Sequence, residues 1–205
     1  MKCEKRHDCD KLCEDGCMMR LRYGHTNTFL IPCTSGYLLL DTDYAGTLPA
    51  FYRSIKQAGI KVSDIAYVLA THYHPDHMGL IPELMKQGVK LLLVDTQQDS
   101  VHFSDSIFAR DRIRFEPIDE TKATVIRCAE SREFLSGIGI GGVIIPTPSH
   151  SPNSISLVLD DGDCFVGDLE PRAYIDGYEK SGTLKEDWTR VMDFHPKRVF
   201  YAHAN

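Results

Sequence analysis

The chain has 205 residues, a net charge of −6 and 42% apolar residues, which suits a single soluble domain with a substantial core. No apolar run approaches the ~18–20 residues a membrane span requires, and the amino terminus has no apolar stretch of signal-peptide type, so a cytoplasmic protein with no membrane partner is expected. The acidic balance disfavours nucleic acid as the main partner, and nothing in it bears on oligomeric state.

In chain order, residues 1–20 are a cysteine-rich segment with Cys3, Cys9, Cys13, Cys17 and His7. Cys9, Cys13 and Cys17 recur every four residues and would align on one face of a helix. None of the paired spacings of zinc or iron–sulfur sites is present. The segment reads as a thiol-rich tail kept reduced in the cytosol and outside the catalytic centre, with structural zinc, an iron–sulfur site or disulfides as alternatives. Cys33, Cys128 and Cys164 fall in apolar strands, where Cys is commonly a small buried side chain.

Residues 21–205 form the main domain. Residues 28–32 and 36–40 read as a hairpin turned at Thr34-Ser35-Gly36. Thr47 is placed to cap a helix to about residue 58, with Pro49 in its first turn and Gly59 as its stop. Residues 65–70 form a buried strand, 77–87 a helix ended by Gly88, and 90–94 the next strand. Residues 97–121 are polar and irregular apart from Ile107-Phe108 and read as a surface excursion over the site. Strands are expected at 123–128, 133–135 and 142–147, then a hairpin of 154–159 and 164–166 turned at 160–163. Thr183 and Glu186 have capping-box spacing and open a last helix to about residue 194.

Chemistry concentrates at the end of the 65–70 strand, where His72, His74, Asp76 and His77 stand within six residues. In extended backbone i and i+2 share a side, so His72 and His74 can grip one ion. Asp76 and His77 are adjacent and in a turn can point to a second. The helical His-Glu-x-x-His spelling of zinc proteases is absent. Downstream, His150, Asp168 and His203 each close an apolar strand. Seven ligands suffice for two tetrahedral or five-coordinate ions with a position open to water.

The run His-x-His-x-Asp-His, followed in order by His150, Asp168 and His203, resembles the metallo-β-lactamase superfamily, in particular its dinuclear hydrolase branch, from about Tyr23 to His203. The resemblance implies an α/β fold: a four-layer αββα sandwich of two mixed sheets flanked by helices. It implies that His72, His74 and His150 bind one metal, that Asp76, His77 and His203 bind the second, and that Asp168 bridges them. Asp41 would accept a hydrogen bond from a ligand histidine; an ordinary strand-to-helix turn is the other reading. The implied cofactor is two divalent ions, zinc first, with manganese or iron(II) as alternatives, ~3.5–4 Å apart around a bridging hydroxide. Asp76 would also take up a proton during turnover.

The implied reaction is hydrolysis of a small ester, thioester, lactone or phosphoester. Asp168 stands where the true β-lactamases typically have Cys or Ser, and His74 where the diiron oxygen-reducing branch usually has Glu. Only Ala204 and Asn205 follow His203, so the helical extension of glyoxalase II-like thioesterases is not expected. Tyr174 and Tyr178 follow Asp168 at imperfect lactonase spacing and read as surface or packing residues. The insertion and basic surface of a tRNA nuclease are not visible. A mononuclear iron oxygenase of the persulfide dioxygenase type is the alternative activity, and a metal-holding binding protein the third. His25, His102 and His195 lie outside the pattern and are expected to be dispensable for metal binding.

Overall fold

The computed structural model describes residues 9–11, 18–177 and 181–203 of the chain. Seven strands form one sheet in sequence order: Cys9–Lys11 (β1), Met19–Leu21 (β2), Thr28–Cys33 (β3), Gly36–Leu40 (β4), Ile65–Leu69 (β5), Lys90–Val94 (β6) and Thr124–Ile126 (β7). Pairing is antiparallel from β1 to β4 and parallel from β4 to β7. The second sheet holds Gly142–Pro146 (β8), Ile155–Leu159 (β9), Asp163–Phe165 (β10) and Arg198–Phe200 (β11), in the order β11-β10-β9-β8. Only β10 and β11 run parallel there.

Parallel neighbours need crossover connections, and helices supply them. Leu48–Gln57 (α1) joins β4 to β5, while Pro75–Met78 (α2) and Ile81–Lys86 (α3) join β5 to β6. Asp105–Arg110 (α4) lies in the longer β6–β7 connection, Ser131–Gly137 (α5) precedes β8, and Ser181–Met192 (α6) carries the chain from β10 to β11.

Alternation of side chains across each strand sorts the core into three slabs. Leu30, Leu39, Val68, Leu91 and Leu93 face outward from the first sheet and pack with Phe51 and Ile55 of α1 and Ile81 and Leu84 of α3. Phe29, Ile31, Leu38, Leu40, Leu69 and Leu92 face the opposite way and meet Ile144, Leu157 and Phe165 of the second sheet. On that sheet's outer face, Ile145, Val158 and Cys164 are covered by Leu184, Trp188 and Val191 of α6. Three cores separate four layers, so the chain is an αββα sandwich. Burial on both faces explains the unbroken apolar run Leu91-Leu92-Leu93-Val94 in β6. Each such side chain contributes roughly 1.5–3 kcal/mol by leaving water.

Several local expectations are corrected. Residues 133–135 lie within helix α5, not a strand; Ser131 anchors that helix by donating to Cys128 O at 2.7 Å and accepting from Ile144 N at 3.0 Å. The helix expected over 77–87 is split into α2 and α3. At the break Gly79 lies against residues 43–45, where a Cβ would come within 2.2 Å of Ala45 N. The last helix begins at Ser181, so Thr183 sits in its first turn and does not cap it. Thr47 occupies the cap position of α1, but its hydroxyl donates to Tyr44 O and bonds no helical N–H. The 123–128 strand shortens to β7, and 97–121 is not irregular, since it contains α4 and a 3-10 turn at Asp95–Ser100. Cys33 and Cys128 are half-buried; only Cys164 is fully enclosed. Cys9 opens a strand paired with Leu21, not a helix, whereas Cys3, Cys13 and Cys17 lie outside the described residues. Among the described residues no helix is long and apolar enough to cross a membrane.

Candidate metal centre

Parallel pairing of β4 with β5 brings the ends of both strands to one edge of the first sheet. Asp41 follows β4 in a left-handed conformation (φ 59°) that costs a non-glycine residue energy. That backbone aims its carboxylate at the neighbouring strand end. Oδ1 accepts the Thr71 amide at 2.6 Å, and Oδ2 accepts the Thr71 hydroxyl at 2.9 Å. Oδ2 also accepts from His77 Nδ1 at 3.1 Å. A proton committed to Nδ1 turns Nε2 of His77 toward the centre. Of the two readings of Asp41, this geometry is the buried acceptor behind a histidine.

The second sheet delivers its residues to the same edge. His150 follows β8 in a loop tied from three sides. Ser149 N donates to Asp187 Oδ2 of α6 at 2.7 Å, Ile155 N donates to Thr71 O at 2.9 Å, and Tyr73 N donates to Asn153 Oδ1 at 2.9 Å. Gln97, fully buried, donates to Ala70 O at 2.9 Å and to Asn153 O at 3.3 Å, joining the two sheets' loops. Asp168 comes just after Gly167, whose φ is 57° and where a Cβ would meet Thr71 Oγ1 at 2.5 Å. His203 follows β11 and is held by Ala202 N donating to Gly167 O and by its own Nδ1 donating to His25 O at 3.2 Å.

All seven residues singled out in the sequence converge. Their ligand atoms fall into three groups, each within 4.8 Å: His72, His74 and His150; His72, His77 and Asp168; Asp76, His77 and His203. Asp168 lies in the middle. Its Oδ2 is 3.8 Å from His72 Nε2, 3.4 Å from His77 Nε2 and 3.7 Å from His150 Nε2, and its Oδ1 is 3.2 Å from His203 Nε2. Asp76 Oδ2 is 3.2 Å from His203 Nε2. None of the three groups includes His25, His102 or His195. Tyr174 is exposed, and Tyr178 lies outside the described residues.

The electrostatics suit a cation. Burial opposes charge on His77, yet Asp41 and Asp168 beside it push it up to about 10. Asp168 and Asp76 push His203 up to about 11. Burial would raise Asp168, but the His203 and His77 rings hold it well below the usual carboxylate range. Burial, with His77 alongside, lowers His72 well below its ordinary value. Nε2 of His72 (1% exposed) and Nε2 of His77 (0%) make no hydrogen bond among the described residues. An unpaired buried polar atom costs ~1–3 kcal/mol, and a divalent ion would engage both lone pairs. Imidazole and carboxylate without thiolate suits zinc, manganese or iron(II).

A model of the metallo-beta-lactamase superfamily matches residues 21–203. The chain belongs to the metallo-β-lactamase superfamily. Members of this superfamily are usually metal-dependent hydrolases that bind divalent cations, typically zinc. Among curated relatives, the beta-lactamase-like protein 2 homolog of Drosophila melanogaster is 24% identical over 186 residues, 88% of this chain and 59% of that protein. A lactamase-like protein of Trichophyton rubrum is 36% identical over 147 residues, 70% of this chain and 38% of that protein. The chain thus spans little more than half, or less, of these relatives' lengths. Among solved structures, a subclass B3 metallo-beta-lactamase from a soil metagenome superposes with a TM-score of 0.71 at 17% identity, covering 96% of this chain and 80% of that one, a likeness of fold.

Four residues around this superfamily centre went unread in the sequence: Thr71, Gln97, Asn153 and Asp187. Asp187 did leave a signal. It lies among Leu184, Trp188 and Val191 on the apolar face of α6, where a carboxylate needs a partner.

Proposed function

We propose that the chain is a dinuclear metal-dependent hydrolase of a small ester, thioester, lactone or phosphoester. Asp168 carries this reading: one carboxylate faces His72, His77 and His150 through one oxygen and His203 through the other, the placement of a bridge between two ions. His72, His74 and His150 would hold the first ion, and Asp76, His77 and His203 the second. Two zinc ions are proposed, with manganese or iron(II) filling the same donors. When bound, such a pair supplies Lewis acidity and turns water into a nucleophile near neutral pH.

The chain's own residues do the rest. Asp41 holds the His77 ring in one tautomer, and the Asp187–Ser149 contact holds the His150 loop. Burial works against ionised Asp76, but the His203 ring beside it keeps its carboxyl below the usual range, so it is a carboxylate able to accept a proton. It is partly open to solvent and would pass that proton to the departing oxygen, sulfur or nitrogen. The substrate is a small molecule, and the enzyme works in a reducing cytoplasm where Cys33, Cys128 and Cys164 stay thiols. Residues 1–20 take no part in the reaction, although Cys9–Lys11 and Met19–Leu21 contribute strands to the first sheet.

Elemental analysis of purified protein, together with a screen of esters, thioesters, lactones and phosphodiesters, tests the proposal. About two zinc or manganese ions per chain and turnover of one class are expected. One iron per chain with persulfide-dependent oxygen uptake would point to the oxygenase instead, and two metals with no hydrolysis of any class would overturn the reading.

A further inference from the structure

Phe103 is 51% exposed, whereas Phe29, Phe51, Phe108 and Phe165 are buried. Its ring centroid lies 5.3 Å from that of His74, with the planes tilted by 35°. The exposure does not come from a loose loop. Val101 and Ser104, on either side, are both fully buried. Ser104 donates to Tyr73 O at 2.6 Å, which ties the segment to the residue between His72 and His74. Phe103 N donates to Ser100 O at 2.9 Å, and His102 Nδ1 is 2.9 Å from Asp105 Oδ2. An aromatic ring is therefore held in place beside the candidate metal centre, one side toward His74 and about half of its surface open to solvent. Among the residues around the centre, whose contacts are imidazole and carboxylate, it adds a large apolar surface.

We propose that Phe103 is the specificity-determining wall of the substrate site and selects esters or thioesters whose acyl group is an aliphatic chain or an aryl ring. This rests on the hydrolase reading above. In that reaction water adds across the acyl C–O or C–S bond, giving a carboxylic acid and an alcohol or thiol, with no oxidant or reductant. On this assignment the apolar contact with Phe103 falls on the acyl side and changes the choice among acyl groups carrying the same leaving group. Discrimination by apolar contact of one or a few methylenes is ~10–200-fold.

The test uses the full chain loaded with zinc, as wild type, Phe103→Ala and Phe103→Leu. With nitrophenyl hexanoate and nitrophenyl acetate, the wild-type protein should favour hexanoate. Phe103→Ala should lower the hexanoate-to-acetate ratio of kcat/KM about ten-fold, mainly through KM, and Phe103→Leu should restore part of it. A second readout needs no turnover: the cobalt(II)-loaded proteins are titrated with hexanethiol and with 2-mercaptoethanol, followed by visible absorption. The ratio of the two dissociation constants should shift by a similar factor in Phe103→Ala.

If no ester, thioester, lactone or phosphodiester is cleaved but the thiol ratio shifts, the hydrolase reading fails and the apolar wall stands. If both ratios stay unchanged at unchanged metal content, the wall is refuted. It is refuted too if Phe103→Ala loses metal without changing either ratio, since Phe103 would then only support His74.

Discussion

The two halves of the candidate centre are built differently. His72, His74 and His150 present neutral rings, and burial holds His72 far from carrying charge. Asp76, His77 and His203 combine a carboxylate with two rings whose affinity for positive charge is raised by Asp41, Asp76 and Asp168. The first half would hold its ion by ring orientation and the shared Asp168 carboxylate, the second by those together with the charge of Asp76 and of Asp41 behind His77. Damage to positioning should therefore weaken the first half more, and loss of charge the second.

The largest effect expected is from Asp168→Ala, which removes the carboxylate both halves share. Turnover should fall at least ~1,000-fold, as for loss of a central electrostatic group, and metal content should drop toward one or none by elemental analysis while circular dichroism is retained. Asp41→Asn comes next. It removes charge from the His77 side and should lower affinity for the second ion by ~10–100-fold, read by chelator competition, with the first ion less affected. Asp187→Ala probes the other half. It strands the Ser149 amide, so stability should fall by ~1–3 kcal/mol in urea melts, and the first ion should be lost more readily than the second. Equal weakening of both ions by Asp41→Asn and by Asp187→Ala would erase the distinction between the halves. At the small end, His195→Gln should leave metal content and melting temperature within error, and so should serine at Cys9, Cys13 and Cys17 together.

Legibility in the sequence followed range. The ligand-bearing strand ends could be read because β5, β8, β10 and β11 are short apolar runs that each stop at a polar side chain, and because four of the seven residues lie in one local cluster. Their convergence needed the resemblance as well as the pattern. The residues that stayed hidden act at a distance: Gln97 bonds residues 26, 27 and 56 positions away, and Asp187 bonds Ser149 across 38. No local period reports such contacts. The break between α2 and α3 was equally hidden, since it depends on Gly79 meeting the backbone of 43–45. In α5 the apolar pair Phe134-Leu135 is too short for period alone to separate helix from strand.

Each of the three ligand groups draws two side chains from the edge of the larger sheet and one from the smaller. A cation held there rivets two layers that otherwise meet through an apolar slab. Since neither layer alone offers a complete set of donors, the unfolded chain would grip such an ion poorly, and saturation at a hundred times the dissociation constant would add ~2.7 kcal/mol to the folded state. Metal supply would then govern how long the chain stays folded as well as the turnover proposed for it.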